Sequence, residues 1–120
     1  MIFQGISRIF STENDGQYEA IGAFWDALSE RFGRENLLGL GFNWTGSTIE
    51  YIIGLKQGDI PADFEGERKR IELPDEGWLN FCGRTEKLSE LYDEIYRNGA
   101  LLYEIEEFDD SGNCRVSIYR

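Results

Sequence analysis

The residues in this chain whose types and spacing could do chemistry lie between Leu101 and Asn113. Here, in LLYEIEEFDDSGN, carboxylates are interleaved with aromatic and aliphatic side chains at strand spacing. Successive residues of a strand point to opposite faces, so Tyr103 and Ile105 share one face with Glu107, and Glu104 and Glu106 share the other with Phe108. Whichever face is buried, at least one glutamate has apolar neighbours. A desolvated carboxylate among aromatic rings can hold an organic cation: loss of water strengthens the charge attraction, and each ring face adds cation–π attraction of about 0.5–2 kcal/mol. It can also serve as a general acid or base once burial has raised its pKa. The alternative for the same residues is a solvated edge strand, kept acidic to discourage edge pairing.

Other chemistries are excluded by what is missing. The sequence contains no histidine, and Cys82 and Cys114 lack CxxC spacing, so neither the common zinc sets nor a Ser-His-Asp triad can be assembled. No phosphate loop or nucleophile elbow is present, and no cofactor or metal is expected. Twelve lysines and arginines against 23 acidic residues give a net charge of −11, which repels nucleic-acid phosphates and anionic membranes. Direct nucleic-acid binding and membrane association are therefore not expected. The N-terminal MIFQGISRIF lacks a basic region followed by an apolar core, and no run of 18 apolar residues occurs. A cytoplasmic location follows as an expectation.

The elements that must position these residues are legible from periodicity. At 120 residues, 14% of them aromatic and only two prolines, the chain reads as one globular domain spanning 1–120. In QYEAIGAFWDALSERFGR the apolar residues Ile21, Phe24, Trp25, Leu28 and Phe32 recur at helical spacing, with Asn14 or Asp15 as start signal and Gly33 at the end. In TEKLSELYDEIYRNGA the stripe is Leu88, Leu91, Tyr92, Ile95 and Tyr96, with Thr85 as the capping candidate and Gly99 beyond the last turn. Period-two segments surround each helix: IFQGISRIF before the first, NLLGLGFNW and STIEYIIGLK after it; GWLNFCGR before the second, ALLYEIEEF and NCRVSIYR after it. QGDIPADFEGERKR reads as a connecting loop.

The order strand-helix-strand-strand thus occurs twice, over about 1–56 and 70–120. An α+β fold is expected, built as a tandem repeat of that unit, with an antiparallel sheet, both helices on one side and a ligand cleft between the halves. Trp25 and Phe24 read first as packing residues of the helix stripe, and a tryptophan at the edge of the cleft is the alternative.

Five short stretches, IGAFW, EYIIGLK, GWLNFCGR, LYDEIY and YEIEEFDDSGNCRVSIY, occur in an order that resembles the GyrI-like effector-binding domains, found at the ends of MerR-type and AraC-type multidrug regulators and as free-standing proteins. The resemblance covers essentially the whole chain. It implies two tandem modules around a pocket for aromatic, often cationic, small molecules. It further implies that Glu104 is the pocket glutamate, with Tyr51, Phe81 and Tyr119 as pocket aromatics; Trp25, taken at the cleft edge, would join them as a ligand-binding residue. The tyrosine usual two residues after that glutamate is replaced here by Glu106, which makes Glu106 the other candidate.

The expected function is a small-molecule-binding module for sensing or sequestration, without catalysis. One alternative is an acidic protein-interaction module that inhibits a basic partner such as DNA gyrase, with Asp59, Asp63, Glu65, Glu106, Glu107, Asp109 and Asp110 as the candidate acidic face. The other is a small-molecule hydrolase using a pocket glutamate.

Overall fold

Alternation and helical spacing translate directly into the elements of the computed structural model, which describes residues 1–120. In chain order these are β1 (Ile2–Ser11), α1 (Gln17–Phe32), β2 (Leu37–Phe42), β3 (Thr48–Leu55), β4 (Glu67–Glu72), β5 (Leu79–Arg84), α2 (Leu88–Tyr96), β6 (Tyr103–Phe108) and β7 (Asn113–Tyr119). Short 3-10 turns lead into α1, β2 and α2. All seven strands form one sheet in the order β4-β1-β3-β2-β6-β7-β5, and every neighbouring pair is antiparallel. The protein is an α+β fold with a seven-stranded antiparallel sheet and two helices. No helix is long and apolar enough to cross a membrane.

The two faces of the sheet separate cleanly by residue parity. On one face, Phe24, Trp25 and Leu28 of α1 pack on Ile6, Leu37, Tyr51, Ile53 and Phe108, while Ile95 of α2 packs on Val116 and Ile118. In β6 the buried positions are 104, 106 and 108, so Glu104 and Glu106 lie on this helix-covered face. The other face carries Phe3, Leu40, Phe42 and Ile52, covered by Leu73 and flanked by Trp78, Tyr103 and Ile105. A flat sheet of seven strands would hold its edges roughly 29 Å apart, whereas seven residue steps from Glu72 to Leu79 reach at most about 25 Å. The sheet is therefore curled, and the link between β4 and β5 crosses the second face.

Three local features differ from the sequence expectation. Residues 67–70, read as loop, belong to β4, which pairs along β1 from Ser7↔Glu67 to Ile2↔Glu72. ERKRIE has no apolar alternation, and the strand forms because the open edge of β1 offers unpaired backbone groups. Neither Asn14 nor Asp15 caps α1; both adopt left-handed backbone angles (φ 55° and 56°) in the preceding 3-10 turn, and Gly16 occupies the capping position. Thr85 likewise starts a 3-10 turn, and α2 begins at Leu88 without a side-chain cap. Gly33 does end α1, with φ 82° and its N–H bonded to the Ser29 carbonyl.

Candidate functional site

The centre of the sheet is the strand pair β2 and β6, and β2 has the sequence LLGLGF. Leu38, Leu40 and Phe42 of β2 face the second side, which leaves Leu37, Gly39 and Gly41 under the helices, with no side chain beyond Leu37. That bare strip makes room for two of the aromatic rings that line the cavity above it. A Cβ at Gly39 would lie 2.2 Å from the Tyr51 hydroxyl oxygen and 2.6 Å from the Trp25 indole, so both rings occupy the space a side chain would take. The cavity has a volume of about 790 Å³ and lies between α1, α2 and the sheet. Its apolar walls include Ile21, Trp44, Ile49, Leu88 and Phe108; the exposed rings of Tyr18 and Tyr96 stand at its mouth.

Glu104 and Glu106 enter this cavity from β6 and are only 5% and 8% exposed. Each is held by phenols rather than by a cation. The Trp25 indole N–H donates to the Tyr51 hydroxyl at 2.9 Å, and the Tyr51 O–H donates in turn to Glu106 Oε1 at 2.5 Å. Tyr92 donates to Glu106 Oε2, and Tyr96 donates to Glu104 Oε2 at 2.6 Å. The rings of Tyr92 and Tyr96, one helical turn apart, stack with centroids 5.6 Å apart and planes at 13°. Arg34, bonded to Asp26 at 3.0 Å, lies over the rings of Trp25 and Phe108 at the Glu106 end.

Burial decides the electrostatics. It pushes the Glu104 carboxyl up to about 8, with the charge of Glu106 adding to the rise and the Tyr96 and Tyr92 hydroxyls opposing it. Burial also raises Glu106, against hydrogen bonds from Tyr51 and Tyr92 and the attraction of Arg34. Tyr51, Tyr92 and Tyr96 are all raised, first by burial and then by the neighbouring glutamates, so they remain hydrogen-bond donors. Two residues along a strand put the backbone positions of the two glutamates roughly 6.6 Å apart, and two charges at about that distance repel by on the order of 2 kcal/mol. Glu50, on the second face, shows the contrast: burial works to raise it, but hydrogen bonds from Lys69, Ser7 and Asn43 bring it below the usual carboxylate range.

Of the residues expected at the site, Glu104, Tyr51 and Trp25 line the cavity together. Phe81 and Tyr119 do not. Phe81 packs on the Ile95, Val116 and Ile118 cluster beneath α2, and Tyr119 faces the other side of the sheet, 5.6 Å from the Trp78 ring. The strand parity of β7 accounts for Tyr119, since Val116 and Ile118 take the helix-covered face. Glu106 joins Glu104 instead of replacing it. Tyr92 and Tyr96 were legible only as members of a helix stripe; their one-turn spacing opposite two glutamates was the available signal. Trp44 and Arg34 gave none, because each lies just past the end of β2 or α1, where periodic spacing assigns no face.

No protein-family profile matches the chain, and no solved structure matches it. The chain is 27% identical over 107 residues to a fructose-1,6-bisphosphatase class 1 of Campylobacter concisus, a match that covers 73% of this chain and 37% of that protein. The chain thus spans little more than a third of the curated relative it matches.

Proposed function

We propose that the protein binds lipophilic, aromatic cations in the cavity between its two helices, as a sensing or sequestering module of the GyrI-like effector-binding type. One observation carries the reading: two buried carboxylates, each hydrogen-bonded only by tyrosines, open into an aromatic-walled space of about 790 Å³ with no side-chain cation paired to either. Such a volume is within the range of small-molecule sites. The ligand would supply the missing positive charge, and the tyrosine and tryptophan faces its apolar contact. The strand orders β1-β3-β2 and β5-β7-β6, meeting at β2 and β6, support two equivalent modules with the ligand at their junction.

The test is a titration with cationic dyes and neutral analogues of equal size, followed through tryptophan emission. Cations are expected to quench Trp25 and Trp44, which line the cavity, and neutral analogues to bind worse. E104Q is expected to weaken cation binding by about 1–3 kcal/mol and to leave neutral ligands little changed. Equal affinity for charged and neutral dyes, or no binding at all, would sink the reading.

A second reading, hydrolysis, is favoured by Glu104 alone, whose raised pKa suits a general acid at neutral pH. Turnover of an activated ester that E104Q abolishes would support it. Inhibition of a basic enzyme through an acidic face has less behind it: Glu106 is inside the cavity, and Asp63 and Glu107 are engaged with Arg31 and with Arg115 and Lys56. The bisphosphate in the name of the Campylobacter relative is a polyanion, which a cavity holding buried glutamates in a chain of net charge −11 does not favour.

A further inference from the structure

Glu104 and Glu106 share a face, a cavity and a set of phenols, yet their surroundings differ. Both oxygens of Glu106 accept a hydroxyl, from Tyr51 and from Tyr92, and the Arg34 guanidinium attracts it from beyond ion-pair distance. Glu104 has one close hydroxyl, from Tyr96 on Oε2, and only a weaker, shared influence from the Tyr92 hydroxyl that is bonded to Glu106. The other ionisable groups facing the pair are Tyr18 from α1, Asp93 from α2 and the Cys114 thiol from β7; none can be a cation. Arg34, the one cation at the cavity, is committed to Asp26 and to the Trp25 and Phe108 faces. Two negative charges at this separation, with support for one, are less stable than one charge and one proton.

We propose that the cavity exchanges a proton for its cationic ligand, with Glu104 as the group that releases the proton and Glu106 as the fixed anion. The inference rests on the cation-binding reading. In the empty cavity Glu104 is a neutral carboxylic acid. When a cation enters, the carboxyl O–H bond breaks heterolytically, the electron pair stays on Glu104 to face the ligand, and the proton leaves through the mouth beside Tyr18 and Tyr96 to the buffer. The raised pKa of Glu104 agrees with this assignment. Net charge inside the cavity is then unchanged by binding, which removes the cost of leaving two carboxylates unneutralised when the ligand departs. Affinity for the cation becomes pH-dependent, improving about tenfold per pH unit while Glu104 is protonated and levelling off above its apparent pKa.

The experiment is calorimetric titration of the full chain with tetraphenylphosphonium, which has no titratable group, at several pH values from 6 to 9, each in two buffers, such as phosphate and Tris at pH 7. These buffers differ in ionisation enthalpy, so the difference in heat counts protons released. Close to one proton per cation is expected at pH 6 to 7, falling towards zero by pH 9. E104Q, an isostere of the protonated acid that should keep the fold by circular dichroism, is expected to bind at least tenfold more weakly at pH 8 with no proton release. E106Q is expected to bind more weakly while shifting the loss of release to lower pH, because the charge that holds the Glu104 proton is gone. Tetraphenylphosphonium binding without buffer-dependent heat at pH 6 to 7 would overturn the exchange and leave cation binding standing. Release that survives E104Q and vanishes in E106Q at every pH would place the proton on the wrong glutamate and overturn the assignment. No binding by the unmodified protein would remove both the exchange and the reading beneath it.

Discussion

At the residue scale, a buried glutamate with no cation partner is a cost to folding that depends on pH. The folded-state pKa of Glu104 lies above its unfolded value near 4.5, so the folded protein holds the proton more tightly. Its contribution to stability is fully present below about pH 4.5 and is lost as pH rises towards about 8. Thermal unfolding of the ligand-free protein is expected to show a midpoint that declines across this window. E104Q should flatten the decline and stabilise the protein above pH 7; an unchanged pH profile in E104Q would contradict the buried, uncompensated carboxyl. Gly39 makes a second residue-scale case. A methyl there meets the Tyr51 hydroxyl at 2.2 Å and the Trp25 ring at 2.6 Å, in a packed interior that cannot yield without breaking the Trp25 to Tyr51 to Glu106 chain of hydrogen bonds. Gly39→Ala is expected to destabilise by about 1–3 kcal/mol in urea unfolding and to disturb the near-ultraviolet signal of the cavity aromatics.

At the element scale, α2 is the vulnerable part of the site. Its nine residues are too few for a stable helix in isolation, so it is held by docking rather than by propensity. Ile95 is its one fully buried anchor, set against Val116 and Ile118, while Tyr92 and Tyr96 on the neighbouring stripe reach Glu106 and Glu104. Ile95→Ala is expected to cost about 2–5 kcal/mol. Because the phenols ride on the same helix, hydrogen exchange of the α2 amides should accelerate before that of β6 or β7. Uniform acceleration throughout the sheet would show that the helix and sheet open together.

At the scale of the whole molecule, the crossing of residues 73–78 beneath the sheet ties one edge to the other. The Met1 ammonium bonds the Leu73 carbonyl at 2.8 Å, the Trp78 indole N–H donates to the Pro74 carbonyl at 2.7 Å, and its ring packs on Tyr103 and Tyr119. Trp78→Ala is expected to lower global stability by about 2–4 kcal/mol without altering the cavity residues, so dye affinity at a temperature well below unfolding should change less than twofold. A collapse of affinity in that variant would mean that the curl of the sheet, and not the cavity alone, sets the site. The net charge of −11 leads to a further expectation: duplex DNA should not be retarded by micromolar protein at physiological salt, and a salt-resistant complex would contradict it.

The helices and six of the seven strands are legible in the amino-acid order, because α1, α2 and those strands carry periodic apolar faces that are local properties of ten or so residues. So is the fact that at least one β6 glutamate has apolar neighbours, since strand parity allows no other arrangement of YEIEEF. The remaining features arise from packing between elements. β4 exists only because β1 has a free edge, Tyr119 turns from the cavity because its strand neighbours take the helix-covered face, and Phe81 is claimed by the packing under α2. Tyr92 and Tyr96 become hydrogen-bond donors to the glutamates through the docking of α2 on the helix-covered face of the sheet. Which of two carboxylates keeps its proton likewise depends on how many hydroxyls reach each oxygen, and those hydroxyls come from residues up to 55 positions away in the chain. Periodicity reports burial along one element; convergence of side chains from several elements is a property of their packing, which no local pattern encodes.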